Sequence, residues 1–203
     1  MPKITKITTQ EKNKNRCNVF VDGCFFIALP IDLVYKHSLD IGLEIIPKEF
    51  EQIVLEKDRS EALSKSLDYV TKSLKTKKQV IEYLTKKGYN QETIKHCIDK
   101  LIEYRYIDDK EYVKKYLQLS NSDGEYLKRY KLMKKGISKT IIDNVFNEVE
   151  IDSKENAKNL ALKKIKGKEI TKENLAKVYR YLISKGFTYE DASYAIDSIK
   201  EQD

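Results

Sequence analysis

Apolar residues recur at i, i+3, i+4 and i+7 in three places along the 203-residue chain: Ile94, Cys97, Ile98 and Leu101; then Ile142, Val145, Phe146 and Val149; then Ala192, Ala195, Ile196 and Ile199. That spacing puts each set on one face of an amphipathic helix. Before each set stands nearly the same stretch: YLTKKGYN from Tyr83, KLMKKGIS from Lys131 and YLISKGFT from Tyr181, with Gly88, Gly136 and Gly186 lying 48 and 50 residues apart. Glycine is the residue that ends a helix in the left-handed conformation without a Cβ clash, and Lys87, Lys135 and Lys185 before it suit the negative end of the helix dipole. Asn90, Ser138 and Thr188, two residues on, carry side-chain oxygens suited to capping the next helix. Each stretch is therefore expected to be a junction between two helices.

Upstream of each glycine the pattern gives a middle helix carrying Leu84, Leu132 or Leu182 in its last turn, and before that a first helix. Asp58 with Glu61, Asp108 with Glu111 and Asp152 with Glu155 have capping-box spacing, and Thr76 with Gln79 opens the middle helix of the first copy. The period marks a repeat architecture. Residues 60–107, 108–150 and 151–203 are expected to be three tandem three-helix repeats stacked in an elongated, curved array.

The first residues are patterned differently. RCNVFVDGCFFIAL carries two β-rich runs around Asp22-Gly23, a dipeptide that favours a tight hairpin turn. KITKITT would add a strand before the hairpin, IDLVYKHS a short helix after it and IGLEI a last strand. Residues 1–46 are thus expected to form a small α+β module, and residues 47–59 a connecting helix opened by Pro47. The fold class is mainly α.

Composition narrows the function. No apolar run approaches membrane-spanning length and no cleavable leader pattern is present, so a cytoplasmic monomer is expected. Counting back from the turn pairs Cys24 with Val21 and Cys17 with Ala28, and the three cysteines are expected to be reduced, packed thiols. His96 and Cys97 are adjacent and point to different sides of a helix, so no metal site is expected, and no cofactor. No catalytic set stands out. KGKE near Gly167 lacks the glycine spacing of a phosphate loop, and Asp108-Asp109 sits where the second repeat needs a helix start.

Charge says more. Residues 1–59 hold nine Lys/Arg and nine Asp/Glu, so the whole net charge of +7 falls on residues 60–203. It gathers around the middle helices: Lys72, Lys75, Lys77, Lys78, Lys86 and Lys87 in the first copy, and Lys128, Arg129, Lys131, Lys134, Lys135 and Lys139 in the second. Lys163, Lys164, Lys166 and Lys168 precede the middle helix of the third. Stacked repeats would merge these clusters into a stripe suited to a polyanion. Tyr126 and Tyr130 beside Arg129 are candidate stacking platforms for single-stranded bases. The junctions also suit a helix-turn-helix, which gives a second reading as an independent duplex-binding protein. Against it, the post-glycine helices carry Glu92, Asp99 and Glu103, then Asp143 and Glu148, then Glu190, Asp191 and Asp197, which phosphates would repel.

KTKKQVIEYLTKKGYNQETIKHCIDKLIEYRYIDDKEYVKKYL, followed by GEYLKRYKLMKKGIS, resembles the RecX family of recombination regulators. The junction from Leu84 to Tyr89, the Tyr106 to Asp109 segment and the stretch from Gly124 through Lys135-Gly136-Ile137 carry the resemblance. It implies a non-enzymatic regulator in recombination and DNA repair that binds the RecA recombinase filament on single-stranded DNA and damps its ATP hydrolysis and strand exchange. Where the family usually has arginine-serine before the first junction helix, this chain has Lys75-Thr76-Lys77-Lys78, which keeps the charge and the cap but not arginine's bidentate fork.

Overall fold

The computed structural model describes residues 1–201; Gln202 and Asp203, at the end of the expected third repeat, lie outside the described residues. The chain forms two compact units, one of Met1–Lys72 with Ile81–Tyr106 and one of Ser73–Val80 with Ile107–Asp203.

The first unit opens with strands β1 (Ile4–Thr9), β2 (Arg16–Val21) and β3 (Cys24–Pro30), an antiparallel sheet in the order β1-β2-β3. Asp22 and Gly23 both have positive φ, 48° and 82°, as a two-residue turn matched to strand twist requires. Val21 pairs with Cys24 as counted, but an irregularity between Val19 and Phe20 shifts the register, so Cys17 faces Leu29 and not Ala28. The IGLEI segment forms no strand; a single bridge joins Lys3 to Glu44, and Gly42 at φ 91° interrupts the extended run. A short helix α1 (Ile31–Lys36) follows β3. Ile4, Cys17, Val19, Leu29, Val34 and Ile45 close a small core with Ile53 of the next helix.

That helix, α2 (Pro47–Thr71), begins with Pro47 at its first position and runs 25 residues without a break. The helix start expected from Asp58 and Glu61 does not form. Asp58 and Glu61 lie in the middle of α2, and Glu61 pairs with Arg16 of β2 at 2.7 Å. Their capping spacing is equally that of i, i+3 neighbours on a helix surface. Helix α3 (Lys77–Lys86) crosses the division between the units, and α4 (Gln91–Glu103) packs against α2. A chain starting at Ser60 would begin inside α2 and lose the Arg16–Glu61 pair.

Cys17 and Cys97 are buried, whereas Cys24, expected to be packed, is exposed because the hairpin turn presents it. Burial pushes the Cys97 thiol up to about 11. Since the thiolate is the nucleophile, iodoacetamide at pH 8 should label Cys24 readily and leave Cys97 untouched in the native protein. Equal labelling rates, read by peptide mass spectrometry, would contradict this burial.

The second unit continues with α5 (Asp109–Leu119), α6 (Glu125–Lys134), α7 (Lys139–Glu148), α8 (Ser153–Ile165), α9 (Lys172–Ser184) and α10 (Tyr189–Lys200). The expected starts form. Asp108 accepts from the Lys110 and Glu111 N–H groups, Asp152 from Glu155, Asn90 from Thr93 and Ser138 from Ile141. Thr76 with Gln79 and Thr188 with Asp191 make reciprocal boxes. Val113, Leu117, Leu132, Ile137, Ile142 and Val145 form one core, and α8, α9 and α10 close another around Ala161, Val178, Leu182 and Ala195.

Candidate functional site

The three junctions are built alike. Gly88, Gly136 and Gly186 have φ of 86°, 85° and 82°. In each, the residue after glycine (Tyr89, Ile137 or Phe187) donates its N–H to the carbonyl of the buried leucine Leu84, Leu132 or Leu182, all at 3.3 Å. Glycine donates to the residue after that leucine, completing a Schellman motif. The motif accounts for the large residue after each glycine, which packs back over the helix end.

Lysines ride on these ends with an aromatic residue beneath. Lys87 lies 5.7 Å from the centroid of the Tyr83 ring, Lys134 5.0 Å from Tyr130 and Lys185 5.6 Å from Tyr181. Each pair is spaced i, i+4, which brings ring and ammonium to one helix face. The spacing is visible in the first and third repeated stretches as a tyrosine four residues before a lysine, whereas Tyr130 stands just before the second. Lys164 reaches the same Tyr181 ring at 4.6 Å. In the first unit Tyr83 also stacks on Tyr69, centroids 4.2 Å apart and planes 7° from parallel.

Within the second unit, residues from two copies of the repeat converge. The Thr76 hydroxyl donates to the Lys135 carbonyl at 2.8 Å, and the Lys77 N–H donates to Asp109 Oδ1 at 2.9 Å. The stem of Lys78 lies against Gly136, whose added Cβ would fall 2.2 Å from Lys78 Cδ. Lys77, Lys78, Lys134 and Lys135 therefore share one neighbourhood at the start of α3 and the end of α6, with Lys75 just before it. Lys135 also lies 5.7 Å from the Tyr112 ring. Lys86 and Lys87 sit at the other end of α3, about 15 Å along a ten-residue helix. Asp109, expected only as a first-turn acid, instead fastens the first turn of α3. Burial raises its pKa, and the bond from Lys77 N–H opposes that rise. Nothing local in its sequence signals a partner 32 residues away.

Three others of the second cationic group, Arg129, Lys131 and Lys128, are engaged within the fold. Arg129 Nε donates to Glu125 at 2.6 Å and its Nη1 to Asp143 at 2.5 Å, while the guanidinium lies 4.0 Å from the Phe146 ring centroid, so it ties α6 to α7. Lys131 bonds to the buried carboxylate of Asp123, which raises the lysine's pKa. Lys128 departs from expectation most: it is 2% exposed and belongs to no surface stripe. It stands one turn before the buried Leu132, and that i, i+4 relation is the signal that placed it on the inner face. Tyr126, 76% exposed, and Tyr130, 43% exposed, remain accessible on α6.

Burial lowers the Lys128 pKa, opposed by the charges of Asp123 and Glu125. Between the lowered value and the ordinary lysine value near 10.4 the unfolded chain binds the extra proton, so stability rises with pH across that window. Lys128→Met keeps the stem's bulk and removes the buried charge. It should raise stability at pH 7 by about 1 kcal/mol and abolish the rise toward pH 10. A fall in melting temperature would contradict this.

The geometry holds cations over rings at helix ends and brings Lys77, Lys78, Lys134 and Lys135 to one intramolecular junction. Together with the hairpin module it defines a modular helical protein of repeated three-helix units with cationic junctions. Comparison with known proteins makes the class specific. Residues 2–46 match the regulatory protein RecX N-terminal domain, residues 62–101 the first RecX three-helix domain and residues 150–196 the third. The chain is 36% identical to regulatory protein RecX of Clostridium tetani, over 99% of this chain and 96% of that protein. It is 31% identical to that of Bacillus cytotoxicus, over 100% of this chain and 78% of the relative. Among solved structures, a crystal structure of regulatory protein RecX aligns over 97% of this chain and all of its own, with TM-score 0.69 and 25% identity. RecX from Lactobacillus salivarius aligns over 70% of this chain and 97% of its own, with TM-score 0.61 and 25% identity. The chain belongs to the RecX family of regulatory proteins.

Proposed function

We propose that this protein binds RecA filaments on single-stranded DNA and damps the recombinase's ATP hydrolysis and strand exchange, without catalytic chemistry of its own. Its similarity to RecX regulators over nearly the whole chain carries the reading. The convergence of Lys77, Lys78, Lys134 and Lys135 supports it, since a filament offers anionic strand and protein side by side. Several repeated units touching successive protomers would multiply modest contacts through effective concentration. The protein acts as a monomer in the cytoplasm, where such filaments form.

The test is a titration of labelled bare single strand, recombinase-coated single strand and several duplexes at one salt concentration. Coated strand should bind most tightly, and duplexes should differ little from one another. Equal affinity for coated and bare strands would remove the filament as the preferred partner. Preference for one duplex would favour the helix-turn-helix reading.

A further inference from the structure

Two open cavities adjoin in the second unit around the turn that follows α5. The first, about 460 Å³, is lined by Tyr112, Tyr116 and Lys115 of α5 and by Ser73 and Ser122. The second, about 350 Å³, is lined by Asn121, Asn156 and Lys163. Leu119 and Ser122 line both, and Leu119 is 85% exposed, an apolar ridge shared by the two. Acids make up 32 of the 203 residues, yet among the described residues no carboxylate lines either cavity. That absence disfavours a cationic peptide and favours an anion. The phenol rings offer a stacking surface, the amides meet the edges of a base, and ammonium and hydroxyl groups suit phosphate oxygens. Lys135, 5.7 Å from the Tyr112 ring, joins the first cavity to the lysine cluster.

We propose that these cavities take two successive nucleotides of a single strand, one base in each, kept apart by Leu119, with the flanking phosphates on Lys115 and Lys163. A duplex cannot enter, because its bases are stacked and paired. The inference rests on the reading that the protein works on single-stranded DNA, and it names where on this chain the strand would lie.

The probe is a thymidine oligonucleotide carrying one 5-iododeoxyuridine, irradiated with the full-length protein and mapped by mass spectrometry. Crosslinks should fall on Tyr112 or Tyr116. Leu119→Ser, at an exposed position, should keep the circular dichroism spectrum and weaken binding of the bare oligonucleotide about fivefold or more without changing the salt slope. Lys115→Gln should reduce that slope by about one. Crosslinks confined to Tyr126 or Tyr130, with Leu119→Ser binding as tightly as the parent, would overturn the cavities and leave the polyanion reading standing. Capture of recombinase-coated strands with no affinity for the bare oligonucleotide would overturn the cavities and leave the filament reading standing. Failure to bind either strand would overturn both.

Discussion

Gly186→Ala should lower the stability of the protein by about 2–4 kcal/mol, whereas Gly88→Ala should cost only about 1 kcal/mol, although both glycines end a helix with the same backbone. At φ of 82° and 86° the left-handed penalty is common to the two. What differs is the neighbour. A Cβ on Gly88 meets nothing within 4 Å, while one on Gly186 falls 2.6 Å from the backbone nitrogen of Leu127 in α6. Gly124 faces the same contact from the other side: its Cβ would fall 2.2 Å from the Gly186 carbonyl carbon, and its N–H donates to the Lys185 carbonyl at 2.8 Å. Backbone cannot give way as a side chain can. Gly136→Ala should lie between, because the atoms it meets belong to the flexible stem of Lys78. Urea unfolding followed by circular dichroism ranks the three. Equal losses at Gly88 and Gly186 would contradict this packing.

The second large effect concerns binding. Reversing Lys134 and Lys135 to glutamate should weaken attachment to single-stranded DNA or its recombinase complex and flatten the salt dependence, because each lost phosphate contact removes about one released counterion from the slope. Lys134 is exposed over Tyr130, and Lys135 bridges the α3 start and the Tyr112 ring, so both sit where the cluster forms. Reversing Asp143 and Glu148 should leave that slope in place, since Asp143 pairs with Arg129 and Glu148 with Lys110 and Lys114. A slope unchanged by the lysine reversals would place the polyanion elsewhere.

The junctions were legible in the sequence because every signal in them is local. Leucine, lysine, glycine, a large residue and a capping side chain within eight positions determine where one helix stops and the next starts. The long α2 is not legible for the complementary reason: Asp58 and Glu61 satisfy a local cap spacing, and only the distant Arg16 shows that Glu61 belongs mid-helix. A bulge in β3, where Phe26 has no partner between the Phe20–Phe25 and Val19–Ile27 pairs, moves Cys17 by one partner, which counting from the turn cannot foresee. The site was half legible. Its lysines were found by their density, but density does not separate Lys134, over a ring at the surface, from Lys128, buried one turn before Leu132. Nor does it reveal that the start of α3 meets the end of α6 through Thr76 and Lys135, a contact spanning 59 residues. The cavities beside Leu119 are likewise a product of distant segments.

Restraint of a recombinase filament should show in the recombinase's own turnover. The most direct measurement is the rate of RecA ATP hydrolysis on single-stranded DNA with increasing amounts of this protein at fixed salt. A dose-dependent fall is expected, weakened by the Lys134 and Lys135 reversals. A rate unchanged at protein concentrations that saturate the coated strand would contradict it.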